Sequence, residues 1–209
     1  MSEASSAWFL KPTGEALRSA FQKDHAASGV LLAERWLRDH PDDLKAIHYY
    51  AELLYRLTRY EEAIRAYLDA IDRFEDARWG LYNQMGHLYC HRGDFALAEQ
   101  WYEKAIAEDP DEAHGYIFLG NAQARQGKLK EAEETHGKAT ECTEGWIDLA
   151  YHCLGMVLRS QGRFAGAAGC FRKALELDPK CADATRALED VEAALALLAD
   201  KERVGVDGS

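Results

Sequence analysis

Proline is scarce in this chain, 4 in 209 residues, and the five cysteines are odd in number. Cys90, Cys142, Cys153, Cys170 and Cys181 contain no pair at C-x-x-C spacing, which excludes the common zinc and redox motifs and points to reduced thiols. No stretch approaches the roughly 20 apolar residues that a membrane helix needs. The opening residues, MSEASSAWFLKPTGEALRSAFQ, have neither a basic start nor an apolar run. A soluble, cytoplasmic chain with no membrane partner is therefore expected. Basic residues are outnumbered, 25 Lys and Arg against 36 Asp and Glu, for a net charge of −11. A partner held through nucleic-acid phosphates needs a basic surface, so no nucleic acid is expected either. β-rich runs are missing as well, which leaves an all-helical chain of globular composition, 47% hydrophobic and 29% charged.

What the sequence does have is a period. Ala63, Ala98, Ala132 and Ala167 stand 34 or 35 residues apart, as do Ala70, Ala105, Ala139 and Ala174, and the small residues Ala51, Gly86, Gly120 and Gly155. A fourth register, Thr58, Gly93, Gly127 and Gly162, falls where a helix should stop and the turn needs a residue tolerant of positive φ. Each unit reads as two amphipathic helices. In residues 79–112, Tyr82, Met85, Gly86 and Tyr89 recur at helical steps, Gly93 breaks the run, and Phe95, Ala98, Tyr102, Ala105 and Ile106 resume it. Asp109 and Pro110 then suit an N-cap and a first helical position, so the next helix is expected to start there. Small residues at Gly86 and Ala98 would let the paired helices approach closely, with Tyr82 and Tyr102 filling the space beside them.

This pattern resembles the tetratricopeptide repeat, with an aromatic near position 4, a small residue at 8, Ala at 20, an aromatic at 24, Ala at 27 and Pro at 32. Units 79–112 and 148–181 match at every one of those positions, the second through Tyr151, Gly155, Ala167, Phe171, Ala174 and Pro179. Unit 113–147 departs with His136 at the second aromatic and Glu144 in place of proline, and unit 44–78 with Ile47, Ala51 and Glu75. Residues 10–43 read as a degenerate first repeat behind a tail of residues 1–9. Residues 182–200, with Leu188, Val191, Leu195 and Leu198 at helical spacing, read as a capping helix, and 201–209 as a flexible tail. The resemblance implies an all-α, right-handed superhelical solenoid of antiparallel helix pairs. It also implies a non-enzymatic protein-interaction scaffold whose leading helices line a concave groove.

Charge divides along that split. The first 14 positions of the four good units hold Lys45, Arg56, Arg92, Arg125 and Arg159 against Glu52 and Asp148, a net of +3, which leaves −14 for the rest. Five of the eight histidines fall there too: His48, His87, His91, His114 and His152. Such a groove would attract an acidic segment or a free carboxylate. Residues four apart share a helix face, so His48, Glu52 and Arg56 form one polar line and Asn83, His87 and His91 the next. Ile117, Asn121 and Arg125 form the third, and His152, Met156 and the adjacent Arg159 the fourth. Asn83 and Asn121 would hold the amides of an extended peptide; Arg56, Arg125 and Arg159 would hold its carboxylates; Tyr49, Phe118 and Met156 would receive its side chains. The same lines also describe a solvated face. Groove imidazoles titrating near their ordinary pKa would strengthen binding as pH falls from 8 to 6.

Other chemistry finds little support. In the repeat domains that clamp the C-terminal carboxylate of heat-shock chaperones, Lys and Asn occupy positions 5 and 9 of one unit, Asn position 6 of the next, and Lys and Arg positions 2 and 6 of the third. Starting at unit 79 the chain offers Asn83, His87, Phe118, Leu149 and Cys153; starting at unit 44 it offers His48, Glu52, Gln84, His114 and Phe118. Neither frame supplies that clamp. His87 and His91 have the i, i+4 spacing of metal ligands, but no third ligand is in place, so no metal or cofactor is expected. Trp8, Phe9 and Leu10 would cap the open end of the stack or, in the competing reading, build a homo-oligomeric scaffold.

Overall fold

The computed structural model describes residues 14–206, with side chains from 14 to 200. The aromatic run Trp8 to Leu10, read above as a cap or a contact, lies outside the described residues. Among the described residues the chain is helical and forms two compact units, which divide after Glu108. The first contains α1 (Glu15–Gln22), α2 (Ala26–Asp39), α3 (Leu44–Arg56), α4 (Tyr60–Arg73), α5 (Arg78–Arg92) and α6 (Phe95–Glu108). The second contains α7 (Ala113–Arg125), α8 (Leu129–Glu141), α9 (Ile147–Ser160), α10 (Phe164–Leu177) and α11 (Ala182–Val206). Within each unit successive helices pack together, and leading helices also meet: α1 with α3 in the first unit, α7 with α9 and α9 with α11 in the second.

The turns fall where the periodicity puts them. Thr58, Gly93, Gly127 and Gly162 have φ of 60°, 86°, 77° and 75°, the left-handed corner that ends each leading helix. The following residue closes the helix, with N–H groups of Arg59, Asp94, Lys128 and Arg163 donating to the carbonyls of Leu54, Tyr89, Gln123 and Leu158 at 2.9–3.0 Å. Glycine enters this corner without a Cβ clash, whereas Thr58 is a β-branched residue there.

The periodic alanines form the contact between paired helices. Ala63, Ala70, Ala98, Ala105, Ala132, Ala139, Ala167 and Ala174 are all within 1% of fully buried. At the second aromatic position Tyr67, Tyr102, His136 and Phe171 are buried. Three of these rings lie on a glycine of the leading helix: Tyr102 on Gly86, His136 on Gly120 and Phe171 on Gly155. A Cβ at Gly120 or Gly155 would stand 2.6 Å from the facing ring, so these positions exclude any side chain. His136 thus does an aromatic residue's packing, but neither of its ring nitrogens has a hydrogen-bond partner. Burial holds its pKa down at about 4, so it is neutral.

Two boundaries differ from the sequence expectation. Helix α7 begins at Ala113, not at Pro110: Glu112 is its N-cap and accepts from the His114 N–H at 3.2 Å. The residues ahead of it are drawn instead into a bridge with the α8–α9 connection, in which Ala113 N–H donates to Glu144 and Glu144 N–H donates to Asp111. Proline at position 144 could not make the second of these bonds. Helix α11 runs on to Val206 rather than stopping at 200. Its Val191 is buried, with Leu188 and Leu195 packed on Leu158, Ala167 and Phe171, but Leu197 and Leu198 are exposed.

Two substitutions test these contacts. Thr58→Gly relieves a left-handed β-branched residue and should raise stability by about 1 kcal/mol, roughly 2–4 °C in Tm. A fall in Tm would contradict the strained corner. His136→Phe keeps the ring over Gly120 and removes two unpartnered buried nitrogens, so denaturant unfolding should show a gain of roughly 1–3 kcal/mol. A loss would mean that the imidazole has a partner.

Candidate interaction face

The leading helices carry the polar lines that the sequence suggests, but packing sorts them by depth. On α3, His48 Nδ1 lies 3.0 Å from the Tyr67 hydroxyl. Burial, then the positive charges around it, lowers its pKa to about 4. Tyr49 stacks on Phe21 of α1, with ring centroids 4.3 Å apart. Arg56 is committed within the unit: its guanidinium donates to Asp24 at 3.0 Å and to the Phe21 carbonyl at 3.2 Å, lies 3.4 Å from Glu52, and covers the Phe21 ring. Tyr49 and Arg56 therefore tie α3 to the α1–α2 hairpin, a role that spacing alone does not reveal.

On α5 one line runs from the interior to water. Asn83 is only 3% exposed; its Nδ2 donates to the Trp79 carbonyl at 3.1 Å, while its Oδ1 has no partner. That position removes Asn83 from the surface a ligand could reach. His87, one turn on, is half-buried, with Nδ1 3.1 Å from the Tyr102 hydroxyl. Its pKa is lowered to about 4 by burial and then by His91. His91 reaches solvent beside Tyr55, ring centroids 5.1 Å apart. His48 and His87 thus stay neutral between pH 8 and 6, so the expected strengthening of binding over that range does not come from them.

In the second unit the third line divides more favourably. Ile117 is fully buried, while Asn121 and Arg125 are exposed and Phe118 is half-buried. Asn121 reaches the neighbouring leading helix through a hydrogen bond with Cys153, whose thiol burial pushes up to about 11. On α9, His152 packs against Phe171 with ring centroids 5.7 Å apart, and burial lowers its pKa. Met156 is half-buried against the α9–α10 core. Arg159 pairs with Asp190 of α11 at 3.2 Å. Of the anticipated set, Phe118, Asn121 and Arg125 are on α7, and Met156 and Arg159 are on α9, the leading helix that packs against it. No three His, Cys, Asp or Glu side chains among the described residues are grouped to hold a metal ion.

One feature escapes the sequence reading. Trp146, ahead of α9, is 55% exposed and stands 4.2 Å, ring centroid to ring centroid, from His114, which in turn lies 6.0 Å from Phe118. Glu112 pairs with His114. Burial raises the Glu112 pKa, but the His114 contacts outweigh it and hold the carboxyl below its ordinary value. The sequence does not single it out: Glu144 stands in place of proline, but so does Glu75 in the equally long unit 44–78.

The family profile described as Tetratricopeptide repeat matches residues 148–181, and a second profile of the same description matches residues 80–144. Among curated human proteins, Protein O-mannosyl-transferase TMTC2 is 32% identical over 92 residues, 43% of this chain and 11% of the relative. Tetratricopeptide repeat protein 7A is 31% identical over 132 residues, 61% of this chain and 15% of the relative. The chain therefore spans a small part of either. Among solved structures, a thermophilic TPR protein of Thermus thermophilus superposes with a TM-score of 0.62 at 20% identity, covering 85% of this chain and 96% of that one. The first TPR of Spaghetti (RPAP3), bound to the HSP90 peptide SRMEEVD, superposes with a TM-score of 0.53 at 24% identity, covering 57% of this chain and 94% of that one. No helix among the described residues is long and apolar enough to cross a membrane.

Buried neutral histidines predict how stability responds to acid. His48, His87 and His136 have folded-state pKa values of about 4 against an ordinary 6.5. The unfolded chain therefore takes up protons first, and stability present above pH 6.5 is lost as pH falls toward 4. At pH 5.5 the loss should be on the order of 1 kcal/mol per histidine. Tm should thus drop between pH 7.5 and 5.5, with a smaller drop in His136→Phe. A flat profile would contradict the burial of these rings.

Proposed function

The chain belongs to the tetratricopeptide repeat family, and from that premise we propose that it is a non-enzymatic protein-interaction module for an extended, acidic polypeptide segment. The observation that carries the reading is the exposed pair Asn121 and Arg125, one turn apart on α7 beside half-buried Phe118. Asn121 offers both a donor and an acceptor, which suits a peptide backbone, and the Arg125 guanidinium suits a carboxylate. Met156 supplies an apolar contact on the neighbouring α9. Arg159 contributes positive charge beside it, shared with Asp190. The TPR domain of RPAP3 supports the sign of the partner, since the HSP90 peptide in its structure, SRMEEVD, is acidic at its end. The residues that clamp such a carboxylate in chaperone-binding repeats are not in register here, so the segment recognised is a different acidic one.

A peptide-display selection on the full chain should enrich acidic sequences, and Asn121→Ala with Arg125→Ala should weaken the selected peptides by about tenfold or more, the worth of one or two charge-assisted contacts. Asn83→Ala should change thermal stability and leave affinity in place. Affinity measured by calorimetry should stay level from pH 8 to 6 when His48 or His87 is replaced by Gln. Selection of basic or uncharged sequences, or full affinity in the Asn121 and Arg125 double variant, would refute the reading.

A further inference from the structure

The connection from Cys142 to Trp146 differs in construction from the other turns of the chain. Its backbone is stitched to the residues ahead of α7 by the paired bonds of Glu144 with Asp111 and Ala113, at 3.2 and 3.0 Å. Gly145 has φ of +90° and sits so close to Glu112 that a Cβ there would overlap the carboxylate. These constraints fix where Trp146 stands, packed on His114 and through it on Phe118. Among the exposed large apolar side chains of the described residues, which are otherwise leucines, Trp146 is the one aromatic. An indole held this firmly yet left more than half in water gives up much of the benefit of burial, and its open surface is available to a partner.

The charge around that indole specifies what the partner brings. Burial, followed by the carboxylates of Glu112, Asp111, Asp109 and Glu141, pushes up the Cys142 thiol, so four acidic groups surround the start of the connection. Glu144 is exposed within it, and Asp148 lies in the first turn of α9 just beyond Trp146. His114 is already paired with Glu112. No three of these groups converge to hold a metal ion. The arrangement is an exposed aromatic surface in a diffuse negative field, which attracts an organic cation: the ring quadrupole and the carboxylates favour the same charge.

We propose that Trp146, backed by His114, is a second binding surface that takes a lysine or arginine side chain of a partner polypeptide. It goes beyond the acidic-segment reading, with the opposite sign of partner and a different anchor. His114 and Arg125 are eleven residues apart on α7, about 17 Å along the helix.

The test is fluorescence anisotropy of the full chain with a labelled heptapeptide of alternating glycine with lysine and arginine, and with its glutamate counterpart. The basic peptide should bind and the acidic counterpart should not bind at this surface, which is read as an acidic-peptide signal unchanged in Trp146→Ala. Trp146→Ala should weaken the basic peptide by about five- to tenfold at unchanged Tm, and Trp146→Phe should keep most of the affinity. The double variant Glu61→Gln, Asp69→Asn removes two charges from the first unit and should leave binding unchanged. Equal weakening by that control would reduce the effect to net charge and overturn the proposal, and no binding by the unsubstituted chain would refute it outright. Conversion of a concentration-dependent dimer to a monomer by Trp146→Ala, without a change in peptide affinity, would make a second copy the occupant and overturn it. The Asn121→Ala, Arg125→Ala variant should still bind the basic peptide, so failure of the acidic-segment reading would remain distinguishable.

Discussion

The structure depends on a ring laid on a residue that has no side chain. Where Tyr102 meets Gly86, His136 meets Gly120 and Phe171 meets Gly155, a leading helix and its successor approach too closely for even a methyl group to intervene. That contact fixes how far α5, α7 and α9 are each rotated about their own axes, because the glycine has to face the ring. Once the rotation is fixed, so is the depth of every other residue on the helix. The alanines on the second helices permit the same close approach from the other side, and their near-complete burial at every repeat reflects one repeated requirement.

The choice of ring also sets electrostatics one layer away. Tyr67 and Tyr102 carry a hydroxyl that reaches His48 and His87, so each of these imidazoles is hydrogen-bonded below the surface and neutral near physiological pH. In the last repeat Phe171 has no hydroxyl, and His152 lies against the bare ring. In the repeat between them the imidazole has itself become the ring, as His136. His48, His87 and His152, which look like switchable charges in the sequence, therefore belong to the packing, while His91 reaches solvent. The charged groups left at the surface of α7 are of two kinds: Arg125 near its C-terminal end, and the carboxylates gathered near its N-terminal end.

Much of this is legible in the sequence because it is periodic. The alanine and glycine registers locate helix pairs and turns, and even Thr58 sits in the left-handed corner that its register assigns. Depth is not legible. Asn83 and Asn121 look equivalent as polar residues on a leading helix, yet one is inside and the other exposed. Asn83 occupies the fifth position of its unit, where its counterpart in the next is the fully buried Ile117, while Asn121 occupies the ninth. Arg56 looks available because its partner Asp24 lies in the weakly matching first repeat, where periodicity says least. The start of α7 is misread because Asp109 and Pro110 are good capping chemistry in isolation. The competing bridge pairs Glu112 with Glu144, far along the chain, and no local rule anticipates it.

A partner segment received on the face of α7 around Asn121 and Arg125, with its neighbour on α9, would be seen by chemical-shift mapping of the full chain with the tightest acidic peptide from the selection. The largest perturbations should centre on Phe118, Asn121, Arg125 and the Met156 methyl, with Asn83 and Tyr102 unmoved. Perturbations centred on the second helices α8 and α10, with α7 and α9 unmoved, would contradict it.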